Sequence, residues 1–95
     1  MKILHLTLHK IYFDQILEGS KKIEYREIKP YWTKRFFDKQ GKPITYDLIF
    51  FKNGYNKNSP TMEVEWKGIK KNKQYEISLG KVLKSSLASA NKASC

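Results

Sequence analysis

The sequence predicts an α+β fold: a small mixed β-barrel of five strands, with one main amphipathic helix and a short second helix. Five short segments alternate apolar and polar residues, and one segment only has the apolar spacing of a helix longer than two turns. Because no second helix is long enough for repeated strand–helix–strand units, the strands are expected to form one curled sheet. A chain of 95 residues has room for one such core.

The first predicted strand and the main helix lie in the first twenty residues. Residues 3–8 alternate, with three leucines on one face, which predicts a strand. Residues 11–18 carry an apolar stripe at helical spacing, and Gly19 follows as a stop signal. The stripe consists of Tyr12, Phe13, Ile16 and Leu17.

The next segment predicts a second strand and a short helix. Residues 22–28 alternate, so that Ile23 and Tyr25 share one face while Glu24 and Arg26 share the other. Pro30 ends that strand. Residues 31–37 have the spacing of one or two helical turns, in which the two phenylalanines are expected to join the core.

The second half of the chain predicts three more strands. Residues 46–51 are apolar enough for a central strand, residues 61–66 alternate sharply, and Tyr75, Ile77 and Leu79 define the last strand. A basic turn is expected at 67–73. From residue 84 onward Ser, Ala, Asn and Lys dominate, which predicts a domain at 1–83 and a disordered tail at 84–95.

The charge and the cysteine content narrow the function classes. The formal net charge is +10, from 19 Lys and Arg against 9 Asp and Glu. This excess favours an anionic partner, although a solvated lysine-rich surface has the same composition. No apolar run approaches the roughly 20 residues of a membrane-spanning helix. Cys95 is the only cysteine, so no intrachain disulfide forms, and we expect a cytoplasmic monomer without a membrane association.

Residues 19–26 carry the chemistry of the chain in the pattern G-x-K-x-x-E-x-R. Gly19 ends the helix, so Lys21 lies where the chain turns into a strand. Glu24 and Arg26 are two apart in an extended segment and share a face. A carboxylate beside two cations orients them, which would leave Arg26 free to bind a phosphate, a carboxylate or a base edge. A salt-bridge cluster at a barrel rim is the structural alternative.

This pattern after a short helix resembles the signature of the ASCH domain, a relative of the PUA RNA-binding fold. The resemblance covers roughly residues 2–83, and segments 27–32 and 51–55 resemble a small bacterial and phage-type subgroup. It implies a PUA-like barrel and a cleft that binds RNA or a nucleotide. The cleft residues that it implies are Gly19, Lys21, Glu24 and Arg26.

Further candidates combine aromatic rings, cations and amides. Around the second helix they are Lys29, Tyr31, Trp32 and Lys34, which suit stacking on unpaired bases, although Trp32 and Phe36 could simply close the barrel. In the later loop and strand they are Lys52, Asn53, Tyr55 and Glu63. Asn and Gly are also ordinary turn residues, and Glu63 is either a cleft residue or a surface charge. No metal site or cofactor is expected, because His5 and His9 lack a third ligand.

The leading prediction is a binding domain for RNA, single-stranded or looped, or for a nucleotide. The alternative is a small hydrolase, since related proteins deacetylate N4-acetylcytidine with a lysine and a threonine three residues later, and ribonuclease activity is proposed within the family. Lys21 matches that lysine, but Glu24 replaces the threonine nucleophile; Thr7 or Thr61 could reach the cleft from neighbouring strands in its place. A protein-interaction domain is the third possibility.

Overall fold

The computed structural model describes residues 1–86, which fold into one five-stranded sheet and two helices. The elements are β1 (Ile3–Leu8), α1 (Lys10–Glu18), β2 (Ile23–Arg26), α2 (Pro30–Phe36), β3 (Leu48–Asn53), β4 (Thr61–Lys71) and β5 (Tyr75–Ser86). The strand order is β1-β3-β4-β5-β2, with β1 and β3 parallel and the other pairs antiparallel. The sheet curls into a half-barrel, so the predicted α+β class and five mixed strands are confirmed. In the described residues, neither helix is long and apolar enough to cross a membrane.

The core fills the concave side of the half-barrel, as the alternating patterns predict. Leu4, Leu6 and Leu8 of β1 are buried, and Phe13 and Ile16 of α1 pack against them. The remaining buried apolar residues are Phe36, Leu48, Ile49, Phe51, Met62, Val64, Tyr75, Ile77 and Leu79. Phe37, which follows α2 and was the second phenylalanine expected in the core, is only partly buried against it.

The two faces of β2 are arranged with the charged side inward. Glu24 is the one charged residue among the described residues that is buried, whereas Tyr25 is exposed. The alternation separates the two faces but does not indicate which one is buried, because three of the four side chains are polar. The consequence is a carboxylate placed against the core at the edge of the sheet.

The long hairpin of β4 and β5 corrects two predictions. The basic turn expected at 67–73 is wrong for 67–71, because β4 continues to Lys71 and pairs with β5 as far as Tyr75. The tail predicted from residue 84 is wrong for 84–86, which pair with residues 61–63 of β4. In both segments most side chains face solvent and only Ile69 packs against the core, so the apolar pattern is too sparse to mark a strand that backbone hydrogen bonds stabilise. The rest of the predicted tail lies outside the described residues.

Candidate functional site

The turn after α1 places Lys21 at the entrance to β2. Gly19 adopts a left-handed conformation with φ of 90°, which a residue without a side chain tolerates best. The backbone N–H groups of Ser20 and Lys21 then both donate to the carbonyl of Gln15, at 3.0 and 3.1 Å. This cap fixes the direction in which the chain leaves the helix, and Gly19 therefore acts through the backbone.

Lys21, Glu24 and Arg26 form a partly buried charged cluster. Arg26 donates to the Glu24 carboxylate, and Nζ of Lys21 lies 3.5 Å from Oε1 of Glu24. The Glu24 side chain is 5% exposed and the two cationic side chains are 16% exposed. One carboxylate thus faces two cations, so the cluster has a surplus positive charge in a region that water reaches poorly.

The structure uses most of the Arg26 guanidinium internally. Besides Glu24, it donates to the carbonyl of Tyr25 at 3.0 Å and to the carbonyl of Thr7 at 3.2 Å, and it lies 5.1 Å from the Trp32 ring. These hydrogen bonds occupy three of the five guanidinium N–H groups, so two remain for the ligand contact that the sequence predicts. The bond to Thr7 also joins β2 to β1.

Lys21 also keeps spare donors. An ammonium has three N–H groups, and among the described residues the Nζ of Lys21 has one carboxylate neighbour, Glu24 at 3.5 Å. Its Nζ lies 5.4 Å from the ring centre of Tyr12 and 5.0 Å from that of Tyr25. Such distances allow cation–π attraction, which holds the ammonium between the two rings.

The cluster lies in the seam between β1 and β2, the two outer strands of the half-barrel. These strands pair with β3 and β5 respectively but not with each other, so a side chain, Arg26, spans the gap. A cavity of about 260 Å³ opens there. Its lining residues are Thr7, Leu8, His9, Tyr12, Lys21, Glu24, Tyr25 and Arg26.

A second cavity continues from the first. It measures about 540 Å³ and shares Thr7 and Arg26 with its neighbour. The other lining residues are His5, Lys29, Tyr31, Trp32 and Tyr55. We call the two cavities together the seam cleft. It runs from the end of α1, across the seam, to the start of α2.

The exposed aromatic side chains of residues 1–86 are concentrated at the seam cleft. Four tyrosines, and no phenylalanine or tryptophan, are classed as exposed in this part of the chain, at 42% to 89%. Tyr12 and Tyr25 line the first cavity, and Tyr31 and Tyr55 line the second. The two remaining tyrosines, Tyr46 and Tyr75, pack against or within the core. The rings that the fold leaves exposed therefore lie along one cleft.

The predicted site residues separate into two groups. The seam cleft brings together Lys21, Glu24, Arg26, Lys29, Tyr31, Trp32 and Tyr55, next to the turn at Gly19. Lys34, Lys52, Asn53 and Glu63 do not line it. Asn53 donates its backbone N–H to Pro60, and Glu63 lines a separate depression beside Lys84. Within the described residues, Glu63 pairs with neither Lys21 nor Arg26.

Sequence reasoning missed part of the wall that β1 supplies. Thr7 lines both cavities, His5 lines the second, and Tyr12 faces Lys21 although the helical spacing placed it on the apolar stripe. The polar face of residues 3–8 was the available signal for His5 and Thr7. Their proximity to β2 follows from the strand order, which local patterns do not contain.

Comparisons with known proteins add no family assignment. No protein-family model matches the chain, and no curated protein or solved structure matches it.

Proposed function

We propose that this chain is an ASCH-type domain of PUA-like fold whose seam cleft binds single-stranded RNA or a nucleotide. The observation that carries the proposal is the placement of all four exposed tyrosines of residues 1–86 along one cleft that also contains Lys21, Arg26 and Lys29. The match of residues 19–26 to the ASCH pattern supports the same assignment.

The electrostatics of the cleft favour an anionic ligand. The cluster of Lys21, Arg26 and Glu24 has one positive charge more than it has negative charges. Further along, Lys29 has a solvent-exposed ammonium that pairs with Glu27 at 3.1 Å. Phosphate groups are ligands that compensate such a surplus. The net charge of +10 over the whole chain would also attract a polyanion from solution.

The rings favour a ligand with unstacked bases. Base–aromatic stacking contributes roughly 1–3 kcal/mol per base, and a base inside a duplex does not offer its face to a protein ring. Arg35 lies 3.7 Å from the ring centre of Tyr31 and donates to its backbone carbonyl, which fixes that ring at the outer end of the cleft. Single-stranded RNA therefore fits the arrangement better than duplex RNA.

Stacking is tested by fluorescence anisotropy with a labelled, short, single-stranded RNA of mixed sequence. Tyr12→Ala should weaken binding by roughly 5- to 150-fold, the equivalent of one lost stacked base. Ile11→Ala is the matched control, because Ile11 is an exposed neighbour on α1 that does not line the cleft. Equal affinities for the two variants would contradict the stacking role.

Electrostatic binding is tested by the salt dependence of the same signal. The wild-type affinity should fall as salt rises, and Lys29→Ala should reduce the slope of log K against log salt by about 0.7 if Lys29 contacts one phosphate. Lys39→Ala removes the same charge outside the cleft and should change the slope less. An affinity independent of salt, or no binding at low salt, would refute the proposed function.

A further inference from the structure

The free edge of β1 presents backbone groups to the seam cleft. β1 is an outer strand, paired only with β3. In an extended strand, the N–H and C=O groups of successive residues point alternately to the two edges. The carbonyl of Lys2 accepts from the N–H of Asp47, on the β3 side, and the carbonyl of Thr7 accepts from Arg26, on the seam side. His5 and Thr7 therefore direct their backbone groups into the seam.

These backbone groups lie beside the tyrosines that line the cleft. Thr7 belongs to both cavities and His5 to the second. The C=O of His5 and the N–H of Thr7 flank Leu6 on the same edge and give an acceptor next to a donor. An outer strand leaves such groups without ladder partners, so they are available to an incoming polar group.

We infer that the β1 edge reads the hydrogen-bonding edge of one unpaired base, through the N–H of Thr7 and the C=O of His5. This inference deepens the proposed function and rests on it. The Watson–Crick edge of each nucleobase has a donor beside an acceptor, which is the complement of the pair that β1 offers. In a duplex that edge is already occupied, so the contact selects single strands.

The base would lie in the second cavity, where it meets the first, because Thr7 lines both cavities and His5 lines the second. Pockets for drug-sized ligands measure roughly 300–1,000 Å³, and this cavity measures about 540 Å³. A base held there could belong to a free nucleotide or to a nucleotide within a strand. A free nucleotide and a nucleotide within a strand offer the same base edge, so both must be titrated to distinguish them.

Two substitutions at one residue separate the backbone from the side chain. Thr7→Pro removes the N–H that faces the seam without removing a ladder donor, since proline is accepted on an outer strand whose N–H points outward. Thr7→Val keeps the N–H and removes only the hydroxyl. We expect Thr7→Val to bind the short single-stranded RNA within about twofold of wild type, and Thr7→Pro to bind about tenfold more weakly.

Amide NMR on the ¹⁵N-labelled wild type gives a test that does not depend on the folding of a variant. Titration with the short RNA, or with each ribonucleoside monophosphate, should shift the Thr7 amide downfield. The Leu6 amide, which points to β3, should move less. A shift with a monophosphate identifies a free nucleotide as a sufficient ligand, and a shift with the RNA alone identifies a strand. The complementary duplex should leave the Thr7 amide unchanged.

The possible failures of the two proposals are distinguishable. If RNA binds and Tyr12→Ala weakens it, while Thr7→Pro binds like wild type or the Thr7 amide does not move, the base-reading role of β1 is refuted and the proposed function stands. Duplex bound as tightly as single strand also refutes that role. If neither RNA nor any monophosphate binds the wild-type protein, the proposed function itself fails.

Discussion

The buried carboxylate of Glu24 should be the most sensitive single position for stability in the seam. Glu24→Gln keeps the shape of the side chain and removes its charge, so Lys21 and Arg26 face each other without a compensating anion. Breaking a fully buried pair costs about 3–5 kcal/mol. Because both cations are 16% exposed and keep some contact with water, we expect a smaller loss, about 2 kcal/mol in the free energy of unfolding.

The matched control lies three residues away on the same segment. Glu27 also pairs with a lysine, Lys29 at 3.1 Å, but both side chains are more than half exposed. Exposed pairs contribute about 0.2–1 kcal/mol, so Glu27→Gln should lower the free energy of unfolding by less than about 1 kcal/mol. Urea unfolding followed by tryptophan fluorescence measures both variants. For a domain of this size, 2 kcal/mol also corresponds to a melting temperature lower by roughly 8–16 °C.

The comparison between the two variants decides whether the cluster closes the barrel. If Glu24→Gln is no less stable than Glu27→Gln, the carboxylate is solvated in solution, and the seam is held by contacts other than the charged cluster. A larger loss for Glu24→Gln, with the urea slope unchanged, is the expected outcome. An unchanged slope means that the same surface is exposed on unfolding.

Two further predictions concern pH and catalysis. The pKa of Glu65 is lowered, first because its carboxylate accepts the backbone N–H of Lys81 at 2.8 Å, and also because Lys67 and Lys81 are close, while desolvation opposes the shift. A lowered folded-state pKa stabilises the fold at pH values above the unfolded pKa of 4.5, and this stabilisation is lost as pH falls from 4.5 through the lower folded-state pKa. Glu65→Gln should therefore flatten the acid limb of the plot of melting temperature against pH. An unchanged limb would contradict this. The protein should not hydrolyse N4-acetylcytidine, because Glu24 is bound to Arg26 and supplies no hydroxyl nucleophile. Chromatography measures the release of free cytidine. Release above that of a Lys21→Ala control would show instead that Thr7 or another group serves as the nucleophile.

Local patterns in the sequence predict a strand well where the paired residues are also the ones that alternate between buried and exposed. The alternation in residues 3–8 gives β1 and its buried leucines, and Gly19 gives the end of α1, because both signals act within a few residues. The extension of β4 to Lys71 is not predictable in this way, since its three lysines are exposed and Ile69 is the one residue of 67–71 that packs against the core. The third strand begins at Leu48, two residues after its predicted start, because Tyr46 packs its ring on Trp66 instead.

The site residues that are close together in the sequence can be predicted from it, whereas those that the strand order brings together cannot. Residues 19–26 identify Glu24 and Arg26, because their spacing in an extended segment puts them on one face, and Lys21, because the stop at Gly19 places it at the turn into β2. The contribution of Thr7 depends on the strand order, which brings the first and last strands of the sheet to the two sides of one seam. The helical spacing puts Tyr12 on the apolar stripe of α1, yet its ring is 45% exposed and lies beside Lys21.

The way in which the half-barrel closes connects its stability to its proposed function. A backbone ladder between β1 and β2 would use the edge groups of His5 and Thr7 and leave no cavity. A side-chain bridge from Arg26 holds the two strands while keeping them apart, so the cavity and the free edge of β1 remain. Buried charges seldom stabilise a fold more than apolar residues of the same size would. An apolar replacement of the cluster could therefore preserve the barrel, but it would remove the surplus positive charge that a phosphate compensates. The charged closure is thus better explained by the proposed ligand than by the fold.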